Sequence, residues 1–262
     1  MTELVASIKK LLFMPVLASE HGKDVDSFII YVHLLMGVLF IGWFSYFLYT
    51  LFRFSAKRNP KADHHGVKSH ISSYLEVVVA LVEVALLVGF AIPLWAKVVD
   101  EFPKESESTV IRITAQQFAW NSRYPGKDGV FGKQDIKLVS GSNVMGYDPN
   151  DAAGKDDVVP PLNDINVPVN KPVIIQLTSL DVIHSLSIHP FRICQDAIPG
   201  QSIPIHFFPN KEGRFMITCA QLCGNSHYFM RGYFTVLSQA NYDKWMAEKS
   251  ASGGGAAAGG FE

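Results

Sequence analysis

The sequence predicts two membrane-spanning helices followed by an all-β domain and a short C-terminal helix. Two long apolar runs precede Asp100, and each is long enough to cross a bilayer. After Asp100 the chain changes to short alternating or β-branched runs separated by Gly, Pro and Asn, which is typical of a sandwich or barrel. We expect an N-terminal segment 1–26, the helices within 27–99, a β domain 100–249 and a flexible Gly/Ala tail 250–262.

The bulk composition excludes several classes of protein. The chain has 262 residues, a formal net charge of −1 and 18% charged residues. No basic stripe is present, so we expect no nucleic-acid partner. Three cysteines are too few for a disulfide framework, and no C-x-x-C-H haem-attachment motif occurs.

The first predicted span covers residues 28–52, a run without a charged side chain. The segment before it contains Lys9 and Lys10 followed by a short apolar stretch, which is similar to a signal peptide. Because that stretch is short and contains Pro15, we expect segment 1–26 to remain uncleaved and to lie at the membrane surface.

The loop 53–70 predicts the orientation of the chain. Positive charge is retained on the cytoplasmic side of a membrane, so this loop is expected to be cytoplasmic. The β domain is then expected on the outer, periplasmic side of a bacterial-type plasma membrane. The charged residues of the loop are Arg53, Lys57, Arg58, Lys61 and Lys68, with Asp63 as the lone acid.

The second predicted span, residues 71–99, contains two acids, Glu76 and Glu83. Each costs roughly 2.5–3.5 kcal/mol near the centre of a lipid-facing helix. Their spacing is nearly two helical turns, so both project from one face, which we expect to turn towards another subunit. We expect Pro93 to kink or end this helix near the outer surface.

Seven strands are predicted in the β domain, together with a long exposed loop at 140–169 and a helix from Gln239 to about Lys249 with Ser238 as its N-cap. The strands are 109–115, 135–139, 172–178, 184–188, 203–208, 214–218 and 233–237.

The run 219–230 carries the clearest chemical signal. It places two thiols, Cys219 and Cys223, close to the imidazole of His227 and the thioether of Met230. Sulfur and imidazole donors select copper, zinc or iron–sulfur, and a weak Met ligand is typical of copper electron-transfer sites and rare for zinc. Two cysteines on one loop can bridge two metal ions. The alternatives are a disulfide, which is geometrically awkward across so short a loop, and a zinc knuckle, which leaves Met230 unexplained.

This spacing, C-x3-C-x3-H-x2-M, resembles the binuclear copper A centre in subunit II of the haem–copper respiratory oxidases. Two other segments resemble the same family, Asp-Val-Ile-His-Ser at 181–185 and Asp-Ala-Ile-Pro-Gly at 196–200. The resemblance covers residues 27–249 and implies a Greek-key cupredoxin barrel after the helical hairpin. It assigns His184 as the second imidazole, in preference to His189 and His206, which lack the motif.

The resemblance implies six copper ligands: two imidazoles that each cap one ion, two bridging thiolates, a thioether and a backbone carbonyl. They are His184, His227, Cys219, Cys223, Met230 and Gln221. The implied function is a subunit of cytochrome c oxidase, a proton-translocating oxidoreductase, that receives electrons from a cytochrome c-type donor. Oxygen reduction and the haem groups belong to a partner subunit, so no catalytic residue is expected in this chain.

Four positions of the resemblance need comment. Gln221 stands where most relatives have a Glu that helps to bind magnesium at the subunit junction, and the loss of the carboxylate weakens the case for that ion. Phe118 falls where the family has a Trp proposed to receive electrons. Trp120 matches a second Trp, with a packed core aromatic as the alternative. Glu76 falls at the mouth of a proton path, with a buried, protonated packing acid as the alternative.

The implied partners are subunit I, other oxidase subunits, membrane lipid and a separate cytochrome c-type donor. Acids in the loop 140–169 would speed the encounter with a basic donor, although a solvated loop explains them equally. They are Asp148, Asp151, Asp156 and Asp157. Two other functions fit the sequence: a copper A subunit of a nitric oxide reductase, and a membrane-anchored copper-binding protein.

Overall fold

The computed structural model describes residues 2–61, 64–66, 68–141 and 143–251. Asp63 and nearly all of the predicted tail 250–262 lie outside the described residues. The chain divides into two compact units. One comprises Met1–Met14 and Asp24–Lys97, and the other comprises Pro15–Lys23 and Val98–Glu262.

The helical unit contains the two predicted spans. Among the described residues, two helices are long and apolar enough to cross a membrane, Gly22–Arg53 and Ile71–Asp100. Their apolar side chains are largely exposed, as in Val38 at 70% and Leu81 at 63%. A water-soluble monomer rarely exposes apolar surface of this extent, so these faces are suited to contact with lipid or another subunit. The helices are α1 (Thr2–Leu11), α2 (Gly22–Arg53), α3 (Ile71–Leu86) and α4 (Ile92–Asp100).

A π-helical turn, Leu87–Ala91, joins α3 to α4. The backbone N–H of Ile92 bonds to the carbonyl of Leu87, five residues earlier. Pro93 has no N–H, and its ring would clash with the carbonyl of Gly89 in a regular α-helix. Of the two effects expected of Pro93, a kink or an end of the helix, the end is wrong: the π-helical turn includes Gly89, where the clash would fall, and the helix continues to Asp100.

The predicted N-terminal segment 1–26 is divided between the two units. Lys9 Nζ lies 2.9 Å from Asp26 Oδ2, and Asp26 is buried, so this ion pair ties α1 to α2. Ala18 and Ser19 are fully buried in the β unit, where the backbone N–H of Ala18 donates to Pro190 O at 2.8 Å. The location of the segment at a membrane surface stays a prediction.

The β unit is a cupredoxin-like sandwich of two sheets with a short helix, α5 (Gln239–Ala251), after the last strand. The strand orders are β2-β1-β4-β7 and β3-β9-β8-β5-β6. With the two apolar helices, this architecture confirms the predicted fold class. The strands are β1 (Thr109–Gln116), β2 (Ala119–Arg123), β3 (Asp164–Pro168), β4 (Val173–Ser179), β5 (His184–Ile188), β6 (Ile193–Ala197), β7 (Ile203–Phe207), β8 (Gly213–Cys219) and β9 (Arg231–Leu237).

Apolar residues from both sheets form one core. Ile113 of β1 and Leu186 of β5 are fully buried in it. Phe191 lies at its centre, with its ring centroid 5.1–5.4 Å from those of Phe207, Phe215 and Phe234 in edge-to-face geometry. This core fixes the relative positions of β8 and β9, which are joined by the loop 219–230, and of β5, which begins with His184.

The strand predicted at 135–139 is wrong. Ile136–Leu138 forms a 3₁₀ turn, Ile136 is 85% exposed, and the Asp135 carboxylate accepts a hydrogen bond from the backbone N–H of Lys137 at 2.9 Å. An Asp side chain that bonds two residues ahead favours a turn over an extended strand. Strands β2, β3 and β6 were not predicted, and β3 lies inside the segment expected to be a loop.

The segment between β2 and β3 is anchored by a buried ion pair between Arg123 and Asp157. Both side chains are 2% exposed, and the Arg123 guanidinium lies 4.0 Å from the centroid of the Tyr147 ring. The interpretation of Asp157 as part of an acidic surface for a donor is therefore wrong, because its carboxylate is buried against Arg123.

Candidate metal centre

The loop 219–230 is held between two antiparallel strands. Cys219 is the last residue of β8, and Met230 immediately precedes β9. His184 begins β5, which pairs with β8 in a register that places Leu186 opposite Cys219. Gly224 has a φ of +136°, a conformation that side-chain-bearing residues rarely adopt, and it allows the loop to reverse direction.

The predicted ligand atoms lie in two groups, each centred on one thiol. Cys219 Sγ lies 3.9 Å from His184 Nδ1 and 3.1 Å from the carbonyl oxygen of Gln221. Cys223 Sγ lies 3.5 Å from His227 Nδ1 and 3.7 Å from Met230 Sδ. The two sulfurs are 3.8 Å apart. Each thiol therefore has one imidazole nitrogen and one weaker donor beside it.

This donor set fits a pair of metal ions with bridging sulfurs. A sulfur separation of 3.8 Å is far too long for a disulfide, and both cysteines are free thiols. Two thiolates bound to the same ion at ~2.3 Å can span that separation. The ligand atoms of His184, Cys219 and Cys223 all lie within 4.8 Å of one another.

His184 is oriented by Asp181. His184 is fully buried, and its Nε2 lies 2.9 Å from Asp181 Oδ1. Since a carboxylate only accepts hydrogen bonds, Nε2 carries a proton, and Nδ1 is the nitrogen that faces the sulfurs. The same carboxylate accepts bonds from the backbone N–H groups of Gln117 at 2.8 Å and Val182 at 2.7 Å. These hydrogen bonds outweigh burial and lower the pKa of Asp181.

The two thiols differ in acidity. Burial opposes ionisation of Cys219, but its hydrogen bond with His184 and further hydrogen bonds outweigh burial and lower its pKa to about 6. Burial and the neighbouring Cys219 sulfur raise the pKa of Cys223 to about 12. Two adjacent negative sulfurs repel each other. The positive charge of a bound cation would offset this repulsion, so both thiols could then be deprotonated.

Two aromatic residues of the β1–β2 hairpin lie near this site. Trp120 is fully buried, with its ring centroid 6.3 Å from that of His184 in edge-to-face geometry. It therefore belongs to the core and also contacts a predicted ligand. The ring of Phe118 lies against Gly224, since a Cβ built there would be 3.1 Å from the ring.

Other candidate residues lie elsewhere. His206 is on β7, in the opposite sheet, where its ring packs 4.4 Å from that of Phe102. His189 follows the far end of β5. Glu76 is on α3 of the helical unit and is exposed.

Asp181 and Gln117 contact the site, although the sequence patterns predicted no role for either residue. An Asp three residues before a His ligand is a detectable signal, because ligating imidazoles usually donate their second N–H to a carboxylate or carbonyl. Gln117 offers no comparable local signal, since its partners are 64 and 106 residues away in the sequence.

Comparison with known proteins gives a consistent result. The family profile described as cytochrome c oxidase subunit II, periplasmic domain, matches residues 109–236. The alternative cytochrome c oxidase subunit 2 of Bradyrhizobium diazoefficiens is 31% identical over 220 residues, which cover 84% of this chain and 78% of that protein. The chain belongs to the cytochrome c oxidase subunit II family.

A second relative and one solved structure are also similar to this chain. Cytochrome c oxidase subunit 2 of Cereibacter sphaeroides is 32% identical over 219 residues, which cover 77% of this chain and 68% of that protein. The crystal structure of the periplasmic domain of subunit II of cytochrome oxidase from Bradyrhizobium japonicum aligns with 58% of this chain and 99% of that chain, at 28% identity and a TM-score of 0.43. Family membership makes this chain a subunit of an oxidoreductase complex and implies a copper A site.

Proposed function

We propose that this subunit receives electrons from a cytochrome c-type donor and passes them through a binuclear copper A centre to the haem-bearing subunit that reduces oxygen. The observation that supports this most directly is the two-part donor set, in which each of two sulfurs 3.8 Å apart has its own imidazole and its own weak donor. A mononuclear copper site uses one thiolate and a zinc site has no use for a buried thioether.

The proposed roles of the ligands follow from their positions. Cys219 and Cys223 would hold the copper pair through their sulfurs, and each would do so with one imidazole, His184 beside Cys219 and His227 beside Cys223. Met230 and the Gln221 carbonyl would be the weak ligands, one in each group. A bound copper pair supplies one-electron transfer with small changes in bond length.

The protein contributes rigidity and exclusion of water. His184, Cys223 and Met230 are at most 4% exposed, so water has little access to the inner side of the site. Asp181 fixes the ring orientation of His184, and such supporting hydrogen bonds set metal affinity and redox potential.

The outer side of the loop is exposed and apolar. Leu222, Tyr228 and Phe229 are 76%, 86% and 69% exposed. We assign this rim to contact with partner subunits of the oxidase, subunit I above all, because large apolar side chains clustered around a redox centre mark a protein interface. The contact would also shield the copper pair from water.

The membrane topology is part of the proposal. The basic loop 53–70 lies on the cytoplasmic side and the β unit on the periplasmic side, in line with the positive-inside rule. Glu76, on the apolar helix Ile71–Asp100, is assigned to the mouth of a proton path that serves the haem-bearing subunit.

Stopped-flow mixing of reduced cytochrome c with the assembled oxidase tests the electron route. The copper absorption band should bleach before the haem of the partner subunit is reduced. In a Cys223→Ser complex, which lacks one bridging sulfur, haem reduction should be slower by orders of magnitude. Equal haem reduction rates in the two complexes would contradict the proposed route.

A further inference from the structure

The tip of the β1–β2 hairpin contacts the metal-binding loop through Gln117. Its side-chain amide Nε2 donates to the carbonyl oxygen of Cys223 at 2.5 Å. Its backbone N–H donates to Asp181 Oδ2 at 2.8 Å. Gln117 therefore contacts the predicted ligand Cys223 directly. It also contacts Asp181, the residue that orients the predicted ligand His184.

The loop backbone is packed closely against this residue. A Cβ at Gly224 would lie 2.7 Å from Gln117 Nε2 and 3.1 Å from the ring of Phe118. A side chain at Gly224 would displace the Gln117 amide and press against the ring of Phe118. Gly224 therefore provides both the loop reversal and the space in which the amide reaches the carbonyl of Cys223.

We propose that Gln117 is a positioning residue for the copper centre, which holds the second half of the metal-binding loop in place and tunes the centre's reduction potential. The inference rests on the proposed copper A function. Gln117 reaches both halves of the donor set, since Cys223 lies in one and Asp181 orients His184 in the other. It contacts no predicted metal-binding atom, so it acts through its neighbours.

The direction of the effect follows from electrostatics. The positive end of the Gln117 amide dipole points at the Cys223 carbonyl, next to a bridging sulfur. A positive potential near a redox centre stabilises the added electron, so removal of the amide should lower the reduction potential. Loss of the bond should also loosen the loop and accelerate the release of copper.

The test compares Gln117→Met with Gln116→Met in the full-length chain, purified in detergent and loaded with copper. Met has a similar length to Gln but no N–H donor. Gln116 is the matched control because its Oε1 accepts a bond from Asn121 at 3.2 Å on the same hairpin. The measurements are redox titration, the electron paramagnetic resonance spectrum, copper transfer to a chelator, and thermal unfolding without metal.

In Gln117→Met we expect a lower reduction potential and an altered copper spectrum. Copper release should be about five- to tenfold faster, which is the change expected from the loss of one hydrogen bond. Gln116→Met should match the wild type in all three. The metal-free melting temperatures of all three proteins should agree, since Gln117 lies at an exposed hairpin tip.

The outcomes separate this inference from the proposed function. A wild-type chain that fails to bind two copper ions overturns both. A wild-type chain with two copper ions and a Gln117→Met variant with the same potential, spectrum and release rate overturns the positioning role alone. So does an equal change in both variants, which would indicate a general effect of the hairpin.

Discussion

Replacement of Asp181 by Asn tests how strongly this carboxylate orients His184, a proposed copper ligand. In the structure, Oδ1 accepts bonds from His184 Nε2 and the Val182 N–H, and Oδ2 accepts one from the Gln117 N–H. An Asn side chain of the same shape has only one acceptor oxygen. If that oxygen keeps its bond to His184, the new NH₂ group faces the N–H of Gln117, and two donors oppose each other.

The expected cost can be worked from these contacts. One charge-assisted hydrogen bond contributes about 1.5–3 kcal/mol, and loss of a carboxylate behind a ligating imidazole typically weakens metal binding 10–100-fold. Because the Asp181 side chain is 32% exposed, water can partly replace the lost bond, and we expect the lower end of this range. Copper affinity should therefore fall about tenfold, or ~1.4 kcal/mol.

Competition with a chelator, monitored by the copper absorption band of the full-length chain, measures this change. Asp243→Asn is the matched control, because it removes the same charge from α5, where the side chain bonds to Gln239. The reasoning is refuted if Asp181→Asn retains copper as well as the wild type, or if Asp243→Asn loses it to the same extent.

Four further changes have defined outcomes. Arg123→Met leaves the buried Asp157 carboxylate unpaired and should lower the free energy of unfolding by about 3–5 kcal/mol in chemical denaturation. Replacing Asp157 by Leu as well should restore part of the lost stability. Full stability in the single variant would contradict this prediction. Phe191→Ala removes the central ring of the core and should cost about 3–5 kcal/mol in the same assay, whereas a loss below 1 kcal/mol would mean that the core repacks. Met230→Leu keeps the packing of a side chain that is 1% exposed, so two copper ions should still bind. The reduction potential measured by redox titration should change, and an unchanged potential would exclude the thioether as a ligand. Glu76→Gln should slow oxygen consumption by the assembled oxidase and leave the copper spectrum unchanged, and wild-type turnover would refute the proton-path role.

The sequence was sufficient to predict those parts of the fold that have a local signal. The two spans are long, apolar and bounded by charges, and β5 was predicted at its observed bounds. Every residue of β2 is buried, so it lacks the alternation by which a strand is recognised. The error at 135–139 arose because apolar residues at alternate positions resemble a strand, although Asp135 bonds the backbone into a turn.

The candidate site was predicted from the sequence to the extent that it is local. Cys219, Cys223, His227 and Met230 lie on one loop, where their spacing is visible, and His184 was found through a second short motif. The supporting contacts could not be predicted in this way. Gln117 meets Cys223 across 106 residues, and because the strands that flank them belong to different sheets, it is the packing of the two sheets that brings them together.

The central claim is that the loop 219–230, together with His184, holds two copper ions that share one electron. The most direct measurement is electron paramagnetic resonance of the copper-loaded chain combined with metal analysis of the same sample. We expect two copper ions per chain and a hyperfine pattern from one unpaired electron spread over two copper nuclei. A single copper ion per chain with a mononuclear pattern, or zinc in its place, would contradict the claim.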